Sequence, residues 1–464
     1  MKIIHVASEF TPLAKAGGMG DVLLGLARAT VKMGHDVTVI LPKYDCLNIP
    51  CSKLEDLFIT YENKKAKNTL WSANFEGIPL ILVEPKTEHN FFQRGHIYGQ
   101  PDEADRYAYF SKTVAAYLES KPAPDVIHLH DWHTALVPFL YQNCPTILTI
   151  HNLAYPGSCG YSTFEKLGLS PDEVVSFQHE DHYSLLRGGL IAASRITAVS
   201  PTYAKEILTP QFGGSFCALL NKHRQKLVGI LNGIDYTFWN PTTDPFLPTH
   251  YNFNSIEEKA IAKRVLQKRL GLPIENKLLV SAIARLVPQK GPDLIEAAFR
   301  RTLEKNGQCV LLGAASDPKT KEQFLNFKKE MAKEPNLQME LIYNEALSHQ
   351  VFAASDVVLI PSLFEPCGLT QMIALHYGTL PLVRKTGGLA DTIFEGKNGF
   401  VFESAEKKEI ISAIDRCFSC WKNTPDKWRA LIKTGMEEDF SWDQPAKAYL
   451  NLYTESESMT KISR

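Results

Sequence analysis

The chain has 464 residues, 44% of them apolar and 22% charged, so it is too long for one ordinary core and too apolar for a disordered chain. Lys and Arg number 50 against 51 Asp and Glu, a net charge of −1, which argues against a protein whose main task is neutralising a nucleic-acid backbone. The nine cysteines are odd in number and scattered, as suits a reducing cytoplasm; the opening MKIIHVASEF is too short in apolar residues for a secretory leader, and no stretch reaches the ~18 apolar residues that span a bilayer.

Residues 3–7 form an apolar run, followed by a glycine-bearing loop to residue 20, a helical pattern over 21–32 and a second strand over 36–41. Similar runs recur at 80–83, 125–129, 146–150 and 195–199, each separated by enough chain for a crossover helix, so the first half reads as a doubly wound α/β domain. Between residues 232 and 254 Pro241, Pro245 and Pro248 stand among turn residues without periodicity, which marks a linker. A charged helix over 256–270 then leads into strands at 278–284, 309–313, 338–342, 357–360 and 380–383. The expectation is two Rossmann-like doubly wound domains, 1–236 and 237–442, facing a cleft, with ligands beyond the carboxyl ends of the strands.

The loops at those strand ends carry the chemistry. KAGGMGD at 15–21 precedes a helix: Gly17 and Gly18 let backbone approach a ligand, and Lys15 adds charge, which suits a phosphate, although a glycine-permitted loop with a solvated lysine has the same letters. Arg285 and Lys290 flank a loop that ends at Gly291 and Pro292, so two cations converge on a helix N-terminus, an arrangement suited to a diphosphate. Glu365 precedes Pro366 and Gly368, a carboxylate on a tight turn, with an N-terminal helix role as the structural alternative. Gly387 and Gly388 repeat the logic of the first loop with free N–H groups. His128, His130, Asp131, Trp132 and His133 cluster at one strand end, and His151-Asn152 at the next. Zinc on His128 and His130 is conceivable, yet buried hydrogen-bonded histidines are commoner and no D-x-D pair is present. Cys417 and Cys420 have C-x-x-C spacing but no second ligand pair. Trp132, Tyr98, Tyr155 and Tyr161 could stack on sugar rings or simply pack.

As a set, KAGGMGD, IHLHDWHTALVP at 127, TIHNLAYPG at 149, AVSPTYAKEI at 198, LNGIDYTFWNP at 231, RLVPQKG at 285, PSLFEPCGLTQ at 361 and YGTLPLVRKTGGLADT at 377 resemble the bacterial glycogen synthase and plant starch synthase family, in the same order and over nearly the whole chain. The resemblance implies the glycosyltransferase B fold and a retaining hexosyltransferase that moves glucose from ADP-glucose to the nonreducing end of an α-1,4-glucan such as glycogen. No cofactor and no metal, no nucleic-acid or membrane partner, and a cytoplasmic setting are expected beside it, from the absent D-x-D pair, the balanced charge, the lack of a spanning stretch and the scattered cysteines. The resemblance further implies that residues 443–464 form a helix returning to the first domain.

Position by position, the resemblance makes Lys15, Gly17 and Gly18 donor contacts, Arg285 and Lys290 the diphosphate clamp, and Thr386, Gly387 and Gly388 backbone donors beside it. Glu365 resembles the carboxylate near the transferred glucose, and His151 the residue beside its anomeric centre. Glu9, Asp131, His133, Asn152 and Tyr155 match the acceptor side. Tyr343 matches an aromatic near the nucleoside, although Ile342 replaces the family's preceding glycine; Ile373 stands where relatives outside the subgroup carry a second Glu. UDP-glucose as donor, a small acceptor on the same fold, and an inactive glucan-binding regulator are the competing readings. The regulator would lack the charged strand-end residues that this chain has.

Overall fold

The computed structural model describes residues 1–315 and 317–463. They form two units, Met1–Gly233 with Trp442–Arg464, and Ile234–Ser441. The unit boundary lies three residues before the one read from the sequence, and the 232–254 segment is no loose linker. From Ile234 onward it packs into the second unit, where the Trp239 ring stacks at 4.0 Å on His349 and Asp244 accepts from His349 and Tyr377.

The first unit is built on β1 (Lys2–Val6), β2 (Asp36–Pro42), β3 (Cys51–Tyr61), β4 (Lys64–Phe75), β5 (Ile78–Lys86), β6 (Val126–His130), β7 (Thr146–Ile150), β8 (Ser158–Cys159), β9 (Gln178–His179), β10 (His182–Ser184), β11 (Arg195–Ala198) and β12 (Leu227–Gly229). Nine of them make one sheet in the order β12-β11-β7-β6-β1-β2-β5-β4-β3. It is parallel from β12 to β5, and β5-β4-β3 continue as an antiparallel meander. The parallel strands are buried on both faces, as apolar runs flanked by helices should be. The meander was invisible to the helix-crossover reading because its two-residue turns are Glu62-Asn63 and Glu76-Gly77. All four residues have positive φ, but neither pair is the Asn-Gly or Asp-Gly that signals such turns.

The last helix, Asp443–Ser463, lies on this sheet beside the helix Met19–Lys32. Trp442, Ala446, Tyr449 and Tyr453 recur at helical spacing and are buried with Val22, Leu23 and Leu26. Gly25 makes the approach possible: a Cβ there would meet Trp442 Nε1 at 2.0 Å.

The second unit carries β13 (Leu279–Ile283), β14 (Gln308–Leu312), β15 (Leu337–Glu340), β16 (Val357–Ile360), β17 (Leu380–Arg384) and β18 (Phe400–Phe402). They form an all-parallel sheet in the order β15-β14-β13-β16-β17-β18, with the order reversing beside β13. Such a reversal opens a crevice at the carboxyl ends of β13 and β16, where the RLVPQKG and LFEPCG loops begin. Among the described residues, no helix is long and apolar enough to cross a membrane.

Candidate active site

In the second unit, the loop after β13 runs through Arg285 into a short turn, Pro288–Lys290, then Gly291 at φ +66 and the helix Pro292–Glu304. A Cβ on Gly291 would meet the Pro361 carbonyl at 2.5 Å, so this glycine lets the loop press against the one after β16. Gln289 braces the two loops, donating from Nε2 to Phe364 O at 3.0 Å and accepting from Leu363 N at 2.8 Å. Lys290 Nζ thereby reaches Glu365 Oε2 at 2.5 Å, and Ser362 Oγ donates to the same oxygen at 2.7 Å. Glu365 is only 6% exposed, so this is a desolvated, charge-assisted pair. Arg384, at the end of β17, donates to the Ser362 and Leu363 carbonyls and holds the turn from behind. Arg285 is exposed on the same loop.

The loop after β17 completes the group. Gly387 sits at φ +45, where a Cβ would lie 1.8 Å from Glu365 O, and Gly388 N–H donates to that carbonyl at 3.1 Å. The free-amide reading is therefore corrected at Gly388: these glycines first of all allow two loops to touch, and Gly388 N–H is spent in joining them. Thr386 is fully buried at the start of the Gly387–Thr392 helix. Tyr343 lies apart at the end of β15, 72% exposed, with its hydroxyl donating to Glu345 at 3.0 Å.

In the first unit, Glu9 ends up under the glycine loop. Its Oε2 accepts from Ala16 N at 2.9 Å and Gly17 N at 2.7 Å, while Tyr98 donates to Oε1 at 2.8 Å. The Gly17 amide is thus already paired, a second correction to the free-amide reading, and Glu9 shapes the loop. Lys15 is in an ion pair with Asp21 at 3.0 Å, and Gly18 caps the following helix. The Tyr98 hydroxyl is thereby pinned, and it also meets Ser8 Oγ at 2.8 Å.

Asp131 follows β6 with φ +58 and ψ −174, a backbone region that L-residues avoid and that stores strain. Its Oδ1 accepts from His151 N at 2.7 Å and Asn152 N at 3.4 Å, and burial pushes its pKa up to about 7, with the Glu9 charge adding to the effect. Asn152 Oδ1 in turn accepts from Ala154 N, which curls the loop toward Tyr155, 55% exposed. His133 is sandwiched against Trp132 at 4.1 Å and edge-on to Tyr107, and burial keeps it neutral, as it does His151, whose pKa falls to about 3. Trp132 is a packing residue: a Cβ on Gly157 would strike its ring at 2.5 Å.

His5, His128 and His130 offer nitrogen atoms within 4.8 Å of one another. Both nitrogens of His128 are taken, by Tyr453 and Thr149 at 2.6 Å each, and both of His130, by His5 and His151. A zinc ion would have to break these bonds, so the group reads as a hydrogen-bonded imidazole array. Cys417 lies buried in the helix Lys407–Asn423 with its thiol pKa pushed up, the opposite of what a metal ligand needs.

Residues 2–222 match the starch synthase catalytic domain family and residues 266–434 the glycosyl transferases group 1 family. A glycogen synthase of Protochlamydia amoebophila is 42% identical over 98% of this chain and 99% of its own. The chain belongs to the glycogen synthase and starch synthase family. Within that family, probable starch synthase 4 of Arabidopsis thaliana is 40% identical over 99% of this chain and 47% of its own. The catalytic domain of the Arabidopsis starch synthase IV, bound to ADP and acarbose, superposes with a TM-score of 0.93 at 40% identity, covering 98% of this chain and 99% of that one. A Thermosynechococcus elongatus sucrose-phosphate synthase shares the fold at a TM-score of 0.65 and 18% identity, over 98% of this chain and 99% of its own. The fold class of the family member described here is accordingly glycosyltransferase B.

Ser362, Gln289, Ser8 and Arg384 are the supports that sequence reasoning missed. A serine or glutamine in a loop has no distinctive spacing, and only the proximity of Ser362 to Glu365 in PSLFE hinted at a role.

Proposed function

We propose that this chain transfers glucose from ADP-glucose to the nonreducing end of an α-1,4-glucan, with retention of configuration, in glycogen biosynthesis. The observation that carries the reading is the buried Glu365 carboxylate, fixed by Lys290 and Ser362 at the switch point of a sheet, in a chain that matches a glycogen synthase end to end. A relative bound to ADP and acarbose favours an adenine nucleotide donor.

The chemistry follows from charge. As the bond from glucose to diphosphate breaks, negative charge grows on the leaving group, and Arg285 and Lys290 stabilise it. Lys15, Gly17, Gly18, Thr386, Gly387 and Gly388 are the further donor contacts of this reading. Glu365 positions the glucose and offsets positive charge at its ring, and the departing phosphate takes the acceptor proton in a same-face displacement. Glu9, Asp131, His133, Asn152 and Tyr155 serve the glucan. Because protein cations neutralise the diphosphate, the reaction needs no metal and no cofactor, and the odd, scattered set of nine cysteines suits a cytoplasmic setting.

The deciding experiment is incorporation of labelled glucose into glycogen, run separately with ADP-glucose and UDP-glucose, each with and without chelator. Transfer from ADP-glucose that survives chelation is expected. Transfer only from UDP-glucose would replace the donor, loss on chelation would bring in a metal, and no transfer from either would overturn the function. A glucosyl ester trapped on Glu365 would overturn the same-face displacement.

A further inference from the structure

A row of imidazoles leads from His151 into the core of the first unit. His5 on β1 is the register partner of His128 on β6, His130 is the partner of Thr149 on β7, and His151 lies two residues beyond Thr149. Strand alternation therefore sets all four rings on one face, and the last helix roofs it through Tyr449 and Tyr453. His5, His128 and His130 are fully buried.

Three of these rings form a hydrogen-bonded chain: His5 Nδ1 to His130 Nε2 at 3.2 Å, and His130 Nδ1 to His151 Nε2 at 3.0 Å. Burial lowers the pKa of all three far below neutrality, so each carries one N–H and one lone pair. In a chain of neutral imidazoles, fixing one bond's direction fixes the rest. The inner end supplies that direction: His5 Nε2 is buried and has no partner among the described residues. A buried N–H without an acceptor is rarer and costlier than a lone pair without a donor, which puts the proton on His5 Nδ1. His130 Nε2 then accepts, His130 Nδ1–H donates to His151 Nε2, and the proton of His151 is left on Nδ1.

We propose that His5 and His130 are positioning residues that lock His151 in its Nδ1–H tautomer, so that the ring edge opposite His130 presents a hydrogen-bond donor. No proton moves along the chain; its effect is to fix polarity. A donor at that edge serves hydroxyl and ring oxygens of a sugar alike, whereas a lone pair serves hydroxyl hydrogens alone. The catalytic consequence rests on the reading of His151 as a residue of the glucose site.

The test uses the full chain labelled with 15N-histidine, with long-range proton–nitrogen spectra and the His151 signals identified by their loss in His151→Asn. The wild-type protein is expected to show His151 protonated at Nδ1; protonation at Nε2 overturns the proposal, and this result does not depend on any inner variant folding. His5→Asp puts an acceptor where the donor was and, with its carboxylate ionised, is expected to turn the chain round, so that His151 shifts toward Nε2–H and kcat falls about tenfold, with a smaller change in KM. His5→Asn, whose amide can donate from the Nδ1 position, is expected to restore both the Nδ1–H signature and most of kcat. An unchanged His151 spectrum in a folded His5→Asp protein whose carboxylate is ionised also overturns it. A wild-type chain that transfers no glucose would refute the proposed function and leave the tautomer to be judged by the spectrum.

Discussion

Lys290 Nζ and Glu365 Oε2 lie 2.5 Å apart, on loops that follow two neighbouring strands of the second sheet. The cation assigned to the donor diphosphate is thus already engaged by the carboxylate assigned to the glucose. Phosphate must compete for Lys290, and Glu365 keeps that cation in place until it does. Replacing Glu365 by Gln is expected to lower kcat by about 10²- to 10³-fold while leaving ADP affinity unchanged or tighter, because Lys290 loses its anionic partner. Calorimetric titration with ADP checks the second half; weaker binding would contradict the pairing argument. Lys290→Ala should lower kcat more than glucan affinity.

Glu9 holds the glycine loop by two backbone amides, so its removal should be felt by the donor sugar. Glu9→Ala leaves the Ala16 and Gly17 amides without their acceptor, a loss of about 1–3 kcal/mol. KM for ADP-glucose is expected to rise several-fold, and hydrogen exchange at residues 16 and 17 to accelerate. Unaltered exchange there would show that the loop is held by something else.

Asp131 combines two demands that a single substitution can separate, a strained backbone and an acceptor for the His151 and Asn152 amides. Asn keeps an acceptor and tolerates positive φ, Gly relieves the strain without an acceptor, and Ala does neither. Thermal stability and kcat should therefore both rank Asn above Gly above Ala, with about 1–3 kcal/mol between the extremes. A Gly variant as impaired as Ala would remove backbone strain from the account.

Lys259 is buried among four acceptors, the Phe352, Ala353 and Tyr377 carbonyls and Thr379 Oγ1. Desolvation lowers its pKa to about 7. An unfolded lysine titrates near 10.4, so between about pH 7 and about pH 10 the unfolded chain binds the extra proton and this group makes stability rise with pH. Urea unfolding across that window should show the rise, and Lys259→Met should flatten it while lowering stability overall, since four acceptors lose their donor.

Much of this architecture was legible because parallel strands buried on both faces write themselves as apolar runs, and the strand-end residues Lys290, Glu365 and His151 follow such runs directly. What was illegible depends on distance along the chain. The support that Glu9 gives the glycine loop is illegible because nothing in its neighbourhood says that its oxygens turn back to residues 16 and 17. His5 reads as one polar letter in an apolar strand; its partner lies 125 positions away. The glycines at 387 and 388 were recognised as special, but their purpose, contact with the Glu365 turn, belongs to the packing of two loops and not to either one.

The last helix has a consequence for the order in which this protein is made. Trp442, Ala446, Tyr449 and Tyr453 belong to the core of the first unit, yet they leave the ribosome only after all of Ile234–Ser441. The second unit is continuous in sequence and has all its core residues available as soon as it emerges, whereas residues 1–233 must wait with one sheet face, including His5, His128 and His130, unroofed. The segment translated first is therefore the one finished last, and the imidazole array that orients His151 is assembled only at that final step.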